Sequence, residues 1–185
     1  EILFQVEYMS GNVGEGSSYT DMFTASGVAG GVGGGSAPQT VTQDFIDSYE
    51  AGDLRQAATL SDSATVEKYE DTPTAPFDSD VNWVEIRYAE VLLNLAEAVG
   101  EGAEGYGYIN QVRARAGLAA VDGTTPGSYD DKLLHERRVE LAFENKRWPD
   151  LLRHGKAKSV MASQLGIAEA SVTLLFPIPQ SQIDV

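Results

Sequence analysis

Cysteine is absent from the 185-residue sequence, and histidine occurs at two positions, His135 and His154. Without cysteine the chain can form neither a disulfide bond nor a thiolate metal site. A zinc site of the usual kind would need carboxylates for its remaining ligands, because two histidines do not complete a tetrahedral shell. The sequence predicts no metal and no cofactor; calcium at the acidic groups 44–47 and 78–80 is the alternative, although such carboxylates are more often solvated or capping groups.

Long apolar runs are also missing. No stretch reaches the roughly 18 residues that a membrane-spanning helix needs. The opening letters EILFQV have neither a basic start nor a long apolar core, so they do not resemble a signal peptide. They are typical of a β-strand, and we expect the chain to begin within a longer protein. Its 42% hydrophobic content is sufficient for one domain with a core.

Basic side chains are scarce, and the formal net charge is −15. Residues 1–80 contain 14 acidic and 2 basic residues, whereas residues 81–185 contain 14 acidic and 11 basic residues. Nucleic acids and anionic lipid surfaces both require a basic footprint, so the charge argues against them as partners. Solubility explains the acidity, and adaptation to high salt is the alternative.

The distribution of apolar residues divides the chain into a loop-rich, acidic segment (1–80), expected to face a ligand, and a helical segment (81–185). We expect both to belong to one structural domain. The first segment is predicted to contain a strand at 2–8, a glycine-rich loop at 11–35, a helix from Thr42 to about 50, a turn at 53–55 and a strand at 64–70. The second is predicted to contain helices at 83–99, 106–116, 128–145, 148–153 and 156–165 and an extended run at 174–176.

Four motifs follow one another in the second segment. They are RYAEVLLNLAEA at 87–98, INQVRARAGL at 109–118, ERRVELAFENKRWPDL at 136–151 and FPIPQ at 176–180. In order and spacing they resemble the C-terminal part of the RagB/SusD family. The resemblance is specific over 83–180 and loose over 1–80, where the opening strand and the turn at 53–55 carry it.

This resemblance implies a mainly α fold, a tetratricopeptide-like α–α superhelix with short strands and long irregular loops. It implies a surface-exposed lipoprotein of the outer membrane that binds an oligosaccharide and passes it to a TonB-dependent, SusC-like porin. It implies no enzymatic activity. Family members are longer, so we expect their N-terminal half, and with it the lipid anchor, to be absent from this chain.

Charged residues are frequent within the motifs, and their apolar neighbours place part of them at helix interfaces. We expect arginine forks to hold carboxylates there and to fix the orientation of the helices. Nearly every acid has an arginine neighbour that would keep it ionised, which argues against the general acid of a glycosidase. The predicted ion network consists of Arg87, Glu90, Glu97, Arg113, Arg115, Glu136, Arg138, Glu140, Arg147 and Asp150.

Ligand contacts are predicted in the glycine-rich loop, because sugars pack on exposed aromatic faces and bond to planar polar side chains. Tyr19 and Phe23 have no obvious core to join, and Asn12 and Asp21 are their polar neighbours. The alternative is that these rings pack on the domain. No residue is predicted to be catalytic. Two other functions stay open: a helical-repeat scaffold that binds a protein and no sugar, and a glycoside hydrolase.

Overall fold

The computed structural model describes residues 1–24, 41–62 and 65–183. The chain divides into two compact units, Glu1–Glu144 and Asn145–Val185. The described residues contain nine α-helices and two short strands, which confirms the predicted mainly α class. Residues 25–35 of the predicted glycine-rich loop lie outside the described residues.

The first unit contains both strands and six of the helices. They follow one another as β1 (Ile2–Val6), α1 (Tyr19–Phe23), α2 (Gln43–Ile46), α3 (Leu54–Thr59), β2 (Trp83–Arg87), α4 (Tyr88–Val99), α5 (Ala103–Arg115) and α6 (Tyr129–Glu140). Thr42 and Ser128 cap α2 and α6 as predicted, since their side chains accept hydrogen bonds from backbone N–H groups of the first turn.

The helices α4 and α5 form a hairpin around which the main core is built, and α6 packs on both. The connection is tight, because Gly100 has φ 74° and ends α4 in a backbone conformation that favours glycine. Gly105 permits the close approach, since a Cβ there would lie 2.1 Å from the carbonyl oxygen of Gly100. The core residues are Ala89, Leu92, Leu93, Ala96, Tyr106, Ile109, Val112, Val121, Tyr129, Leu133 and Leu141.

The predicted helix at 83–99 is wrong in its first five residues, which form the strand β2. β2 pairs antiparallel with β1, and Gln5 lies opposite Val84. The helical spacing of the apolar residues does not extend to these five positions. Trp83, Val84 and Ile86 are strand-forming residues, and β1 pairs with them. As part of this strand, Trp83 lies beside Tyr19 and Tyr69 of the first segment.

Three other predictions in the first segment need correction. The turn at 53–55 is the start of α3, with the Asp53 side chain accepting from the N–H of Arg55 at 3.0 Å. The helix after Thr42 ends at Ile46, well before 50. The strand predicted at 64–70 is absent from its described part, 65–70, where the single bridge between Leu60 and Val66 is too short to count as one.

The helix predicted at 128–145 ends at Glu140, and a turn with unusual backbone geometry follows it. Phe143 and Asn145 have φ 63° and 59°, which non-glycine residues rarely adopt. Two side chains from the first segment stabilise the turn: Lys68 donates to the carbonyl of Ala142 at 2.9 Å, and Tyr69 donates to that of Phe143 at 2.6 Å. These bonds satisfy carbonyl groups beyond the helix end.

The second unit contains α7 (Arg147–Arg153), α8 (Ala157–Leu165), a 3-10 turn (Glu169–Ser171) and α9 (Gln180–Ile183). The helices predicted at 148–153 and 156–165 are present. The run at 174–176 forms no strand.

Candidate functional site

Five aromatic side chains of the first unit meet in one group, which we call the aromatic cluster: Tyr8, Tyr19, Phe23, Tyr69 and Trp83. Tyr19 stacks on Trp83 with ring centroids 4.8 Å apart, and Tyr8 meets Tyr19 edge-on at 5.8 Å. Tyr69 is buried behind them, whereas the other four rings are half-buried. The cluster therefore contains one buried ring and four rings with part of their surface accessible to solvent.

The short helix α1 carries Tyr19 and Phe23 and is fixed by buried hydrogen bonds. Thr20 donates its hydroxyl to the carbonyl of Tyr69 at 2.7 Å. The Asp21 carboxylate accepts from the N–H of Phe77 at 2.6 Å. Both residues are almost fully buried, so α1 is held against the segment before β2 at two successive positions.

The loop before α1 is held by a second buried carboxylate. Asp78 accepts from the backbone N–H groups of Gly11 at 2.9 Å and Asn12 at 3.0 Å. Gly16 passes so close to this residue that an added Cβ would lie 2.5 Å from the Asp78 Cα. A nest of backbone donors around one carboxylate gives the loop a defined shape without regular secondary structure.

The predicted ligand residues fall into two environments. Tyr19 and Phe23 lie in the aromatic cluster with part of their surface accessible. Asn12 is exposed, with φ 59°, next to the loop held by Asp78. Asp21 is 2% exposed, and the structure uses its carboxylate to fix the backbone of Phe77. Ligand contact by these four residues stays a prediction.

Burial, followed by the neighbouring Tyr8 and Glu85, raises the pKa of Tyr19 to about 12. Its phenol is therefore neutral across the physiological range and can both donate and accept hydrogen bonds. The Trp83 indole N–H donates to Glu85 at 3.1 Å. The partly accessible rings thus carry polar groups at their rims, an arrangement that suits a ligand with an apolar face and hydroxyl edges.

A second cluster, the buried ion network, joins α6 to α3, β2 and α5. On α6, Glu136 and Glu140 are each 1% exposed at the side chain. Arg55 of α3 bridges them, at 2.5 Å from Glu136 and 3.0 Å from Glu140, and also donates to Asp53 at 2.7 Å. Such a fork holds three carboxylates in a fixed geometry.

The strand β2 enters the network through its last residue. Arg87 donates to Glu144 at 2.9 and 3.0 Å and to the carboxylate of Glu140. Glu144 also pairs with Lys68, whose pKa burial lowers although Glu144 opposes this. The network therefore connects the segment that carries Tyr69 with the strand that begins at Trp83.

The helix α5 contributes two arginines. Arg113 donates to both oxygens of Glu50, at 2.6 and 2.9 Å, and to Glu136 at 3.1 Å. Arg115 pairs with Glu140 and with Glu1. Together these contacts tie α5 to α6 and to the residues before β1 and α3.

The other members of the predicted network lie apart from this group. Glu90 and Glu97 are on α4, the first buried and the second half-buried. Arg138 pairs with Asp44 at 2.5 Å on the surface. In the second unit, Arg147 begins α7 and Asp150 pairs with Arg153 at 2.9 Å.

Sequence reasoning missed several participants. Arg55, Lys68 and Glu144 are central to the network, and Tyr8, Tyr69 and Trp83 to the aromatic cluster. A usable signal existed for the first two: they are the sole basic residues among 1–80, and isolated cations in an acidic segment pair readily with carboxylates. The aromatic contacts join residues that are distant in the sequence, up to the 64 positions between Tyr19 and Trp83, and no local pattern reveals them.

The protonation states of the two α6 glutamates are set by opposing effects. Burial raises the pKa of Glu136, although Arg55 and Arg113 oppose this. Burial also pushes the pKa of Glu140 upward, but Arg87 and the other guanidinium groups outweigh it and lower the pKa. Both carboxylates are almost fully buried at the side chain and paired with arginines, which is the arrangement of a structural ion network.

No group of three or more His, Cys, Asp or Glu side chains within residues 1–24, 41–62 and 65–183 is arranged to hold a metal ion. Across the same residues, no helix combines the length and the apolar character that crossing a bilayer requires.

The protein is thus built on a helical hairpin, α4 and α5, and its loop-rich first segment contributes most of the aromatic cluster. The SusD family model matches residues 61–185, more than half of the sequence, and the chain therefore belongs to the SusD family.

Relatives agree with this assignment. SusD-like protein P2 of Formosa agariphila is 28% identical over 83% of this chain. Surface glycan-binding protein A of Bacteroides thetaiotaomicron, in complex with laminarihexaose, superposes on all of the chain with a TM-score of 0.75 and 26% identity. A laminarin binding SusD-like protein covers 99% of it with a TM-score of 0.73 and 26% identity. These matches confirm the predicted SusD-like helical fold.

The chain spans part of each relative's length. It covers 39% of SusD-like protein P2, 50% of surface glycan-binding protein A and 48% of the laminarin binding protein.

Proposed function

We propose that this chain is the C-terminal part of a surface-exposed outer-membrane lipoprotein that binds an oligosaccharide and does not cleave it. The aromatic cluster carries the proposal. Its half-buried rings, with a neutral phenol and an indole N–H at the rim, match the apolar face and hydroxyl edge of a pyranose. The laminarihexaose complex and the laminarin binding relative support a glycan as the ligand class.

Delivery to a TonB-dependent, SusC-like porin is the second part of the proposal, and membership of the SusD family supports it. Co-purification from outer-membrane extracts tests it: the porin is expected to accompany the tagged protein through mild-detergent washes. Loss of the porin at the first wash would contradict delivery and leave glycan binding untouched.

Titration calorimetry with laminarihexaose tests the binding proposal. Replacement of Tyr19 by alanine is expected to weaken binding by about twofold to tenfold, because stacking on one ring contributes roughly 0.5–1.5 kcal/mol. Tyr88→Ala is the matched control: Tyr88 is 51% exposed and lies on α4, outside the aromatic cluster. Circular dichroism verifies folding, and Tyr8→Ala serves as a second variant at the edge of the cluster. Equal losses in Tyr88→Ala and Tyr19→Ala would contradict this site.

A protein-interaction scaffold is the second candidate, and one observation favours it. On α4, Tyr88, Leu95 and Val99 lie on one stripe and are 51%, 40% and 45% exposed. Exposed apolar stripes of this kind are typical of protein contacts. A chain that binds no glycan but retains a protein partner, and loses that partner on Leu95→Asp, would favour the scaffold.

A further inference from the structure

Glu85 of β2 is an exposed residue that adjoins the aromatic cluster. Its carboxylate accepts from the indole N–H of Trp83 at 3.1 Å, so it lies next to that ring. Burial is the main cause that raises the pKa of Tyr19, and the charge of Glu85 contributes to the same rise. One exposed carboxylate is therefore close to both of the rings that stack on each other.

The pairing of the two strands is interrupted at Glu85. Gln5 pairs with Val84 and Phe4 with Ile86, so two steps along β2 correspond to one step along β1. Glu85 is the extra residue, which is the arrangement of a β-bulge. Bulges are frequent next to active sites, where they change the direction of a side chain. The bulge thus points to a role for this side chain beyond strand pairing.

The chemistry of a carboxylate suits the edge of a sugar. An ionised carboxylate only accepts hydrogen bonds and has about four lone-pair positions for them. The bond from the Trp83 indole holds the Glu85 side chain beside the rings, which lowers the entropy that it loses on binding. Sugar hydroxyl groups are donors, and hydrogen bonds to a charged acceptor are stronger than those to a neutral one. A sugar unit packed on the rings brings its hydroxyl rim towards this carboxylate.

We infer that Glu85 is a ligand-binding residue whose carboxylate accepts hydrogen bonds from hydroxyl groups of the sugar unit that packs on the aromatic cluster. This role rests on the proposed glycan-binding function and makes Glu85 a specificity-determining residue of the same site. The site then favours a sugar unit with free hydroxyl groups over one that carries esters or ethers there, because substitution removes the donor.

Titration calorimetry of Glu85 variants with laminarihexaose tests this role. Glu85→Ala is expected to weaken binding by at least about tenfold, since it removes a charged acceptor. Glu85→Gln keeps an oxygen acceptor without the charge and should weaken binding several-fold. Glu104→Gln is the matched control and should bind as the unchanged chain does. Glu104 is exposed on α5, accepts from the Tyr108 hydroxyl at 3.0 Å and lies outside the aromatic cluster.

A double-mutant cycle with Trp83→Phe separates contact with the ligand from orientation of the indole. Phenylalanine keeps an aromatic ring but has no N–H to donate to Glu85. If the carboxylate contacts the ligand, Glu85→Ala weakens binding by about the same factor with Phe at position 83 as with Trp. If Glu85 acts only by orienting Trp83, its replacement has no further effect in the Trp83→Phe variant, and the inference is wrong.

Substituted ligands give a second readout. O-acetylation of laminarihexaose replaces hydroxyl donors by esters and should weaken binding to the unchanged chain. The loss should be smaller in Glu85→Ala, because one partner of the removed hydrogen bonds is already absent. An equal loss in both chains would contradict contact between Glu85 and the hydroxyl groups.

The same titrations distinguish failure of this role from failure of the proposed function. If Tyr19→Ala weakens the binding of laminarihexaose and neither Glu85 variant changes it, the inference is overturned and glycan binding stands. Maltohexaose and cellohexaose replace laminarihexaose if that probe does not bind. If the unchanged chain binds none of the three, the proposed function fails, and the role of Glu85 fails with it.

Discussion

Replacement of Glu140 by alanine tests the buried ion network where its contacts converge. The carboxylate is 1% exposed and pairs with Arg55, Arg87 and Arg115. The side chains of Arg55 and Arg87 are each 12% exposed, and removal of the Glu140 carboxylate takes one ion-pair partner from each. Breaking a buried pair costs about 3–5 kcal/mol. Because both arginines keep another partner, we expect about 3 kcal/mol, the lower end of that range.

A loss of about 3 kcal/mol lowers the melting temperature of a chain of this size by roughly 6–12 °C. Thermal unfolding followed by circular dichroism measures the change. Glu104→Ala is the control, because an exposed glutamate of α5 should alter stability by less than about 0.5 kcal/mol. An unchanged melting temperature in Glu140→Ala, together with lost glycan affinity, would refute the structural role and make Glu140 a ligand-binding residue.

Four further predictions follow from the same contacts. Arg138→Ala should cost less than about 1 kcal/mol in urea unfolding, because its ion pair lies on the surface. Gly105→Ala should destabilise by about 1–3 kcal/mol, because the added Cβ would overlap a backbone carbonyl. Tyr19→Ala should lower stability by about 1–2 kcal/mol through lost ring stacking, visible as a shifted but cooperative melt. As pH falls from about 5 towards 3, the free energy of unfolding should decrease, because the pKa of Glu140 is lowered in the folded chain and the unfolded chain therefore binds more protons. Glu136, whose pKa is raised in the folded chain, acts in the opposite sense. Glu140→Gln should make the stability depend less on pH over this range.

Local signals predicted the helical half of the fold well. Apolar spacing located α4, α5 and α6, and glycines marked the ends of α4 and α5. Thr42 and Ser128 act as the caps that their side chains suggested. The mistakes arose where a distant partner decides the structure. β2 has an amphipathic pattern that continues into α4, and its pairing with β1, some eighty residues earlier, makes it a strand.

The ion network was partly visible in the sequence. Five predicted members of the network, Arg87, Arg113, Arg115, Glu136 and Glu140, do meet in the structure. Their partners in the first segment were not identified, because an ion pair between Arg55 and Glu136 spans 81 positions and leaves no local pattern. Composition predicts that such pairs exist, and tertiary structure determines which residues form them.

The aromatic cluster and the buried ion network share segments of the chain, those that contain Lys68–Tyr69 and Trp83–Arg87. We infer that the buried charges hold these segments in place beside the proposed binding face. Lys68 pairs with Glu144, and the next residue, Tyr69, bonds to the strained turn at Phe143. Arg87 binds the same glutamate at one end of β2, and Trp83 stands at the other end. Tyr69 and Trp83 are thus held near the end of α6 by ion pairs and a hydrogen bond that involve their own segments. The loops can then vary in sequence and change the ligand, while the ion pairs of Lys68 and Arg87 with Glu144 keep Tyr69 and Trp83 in the same positions.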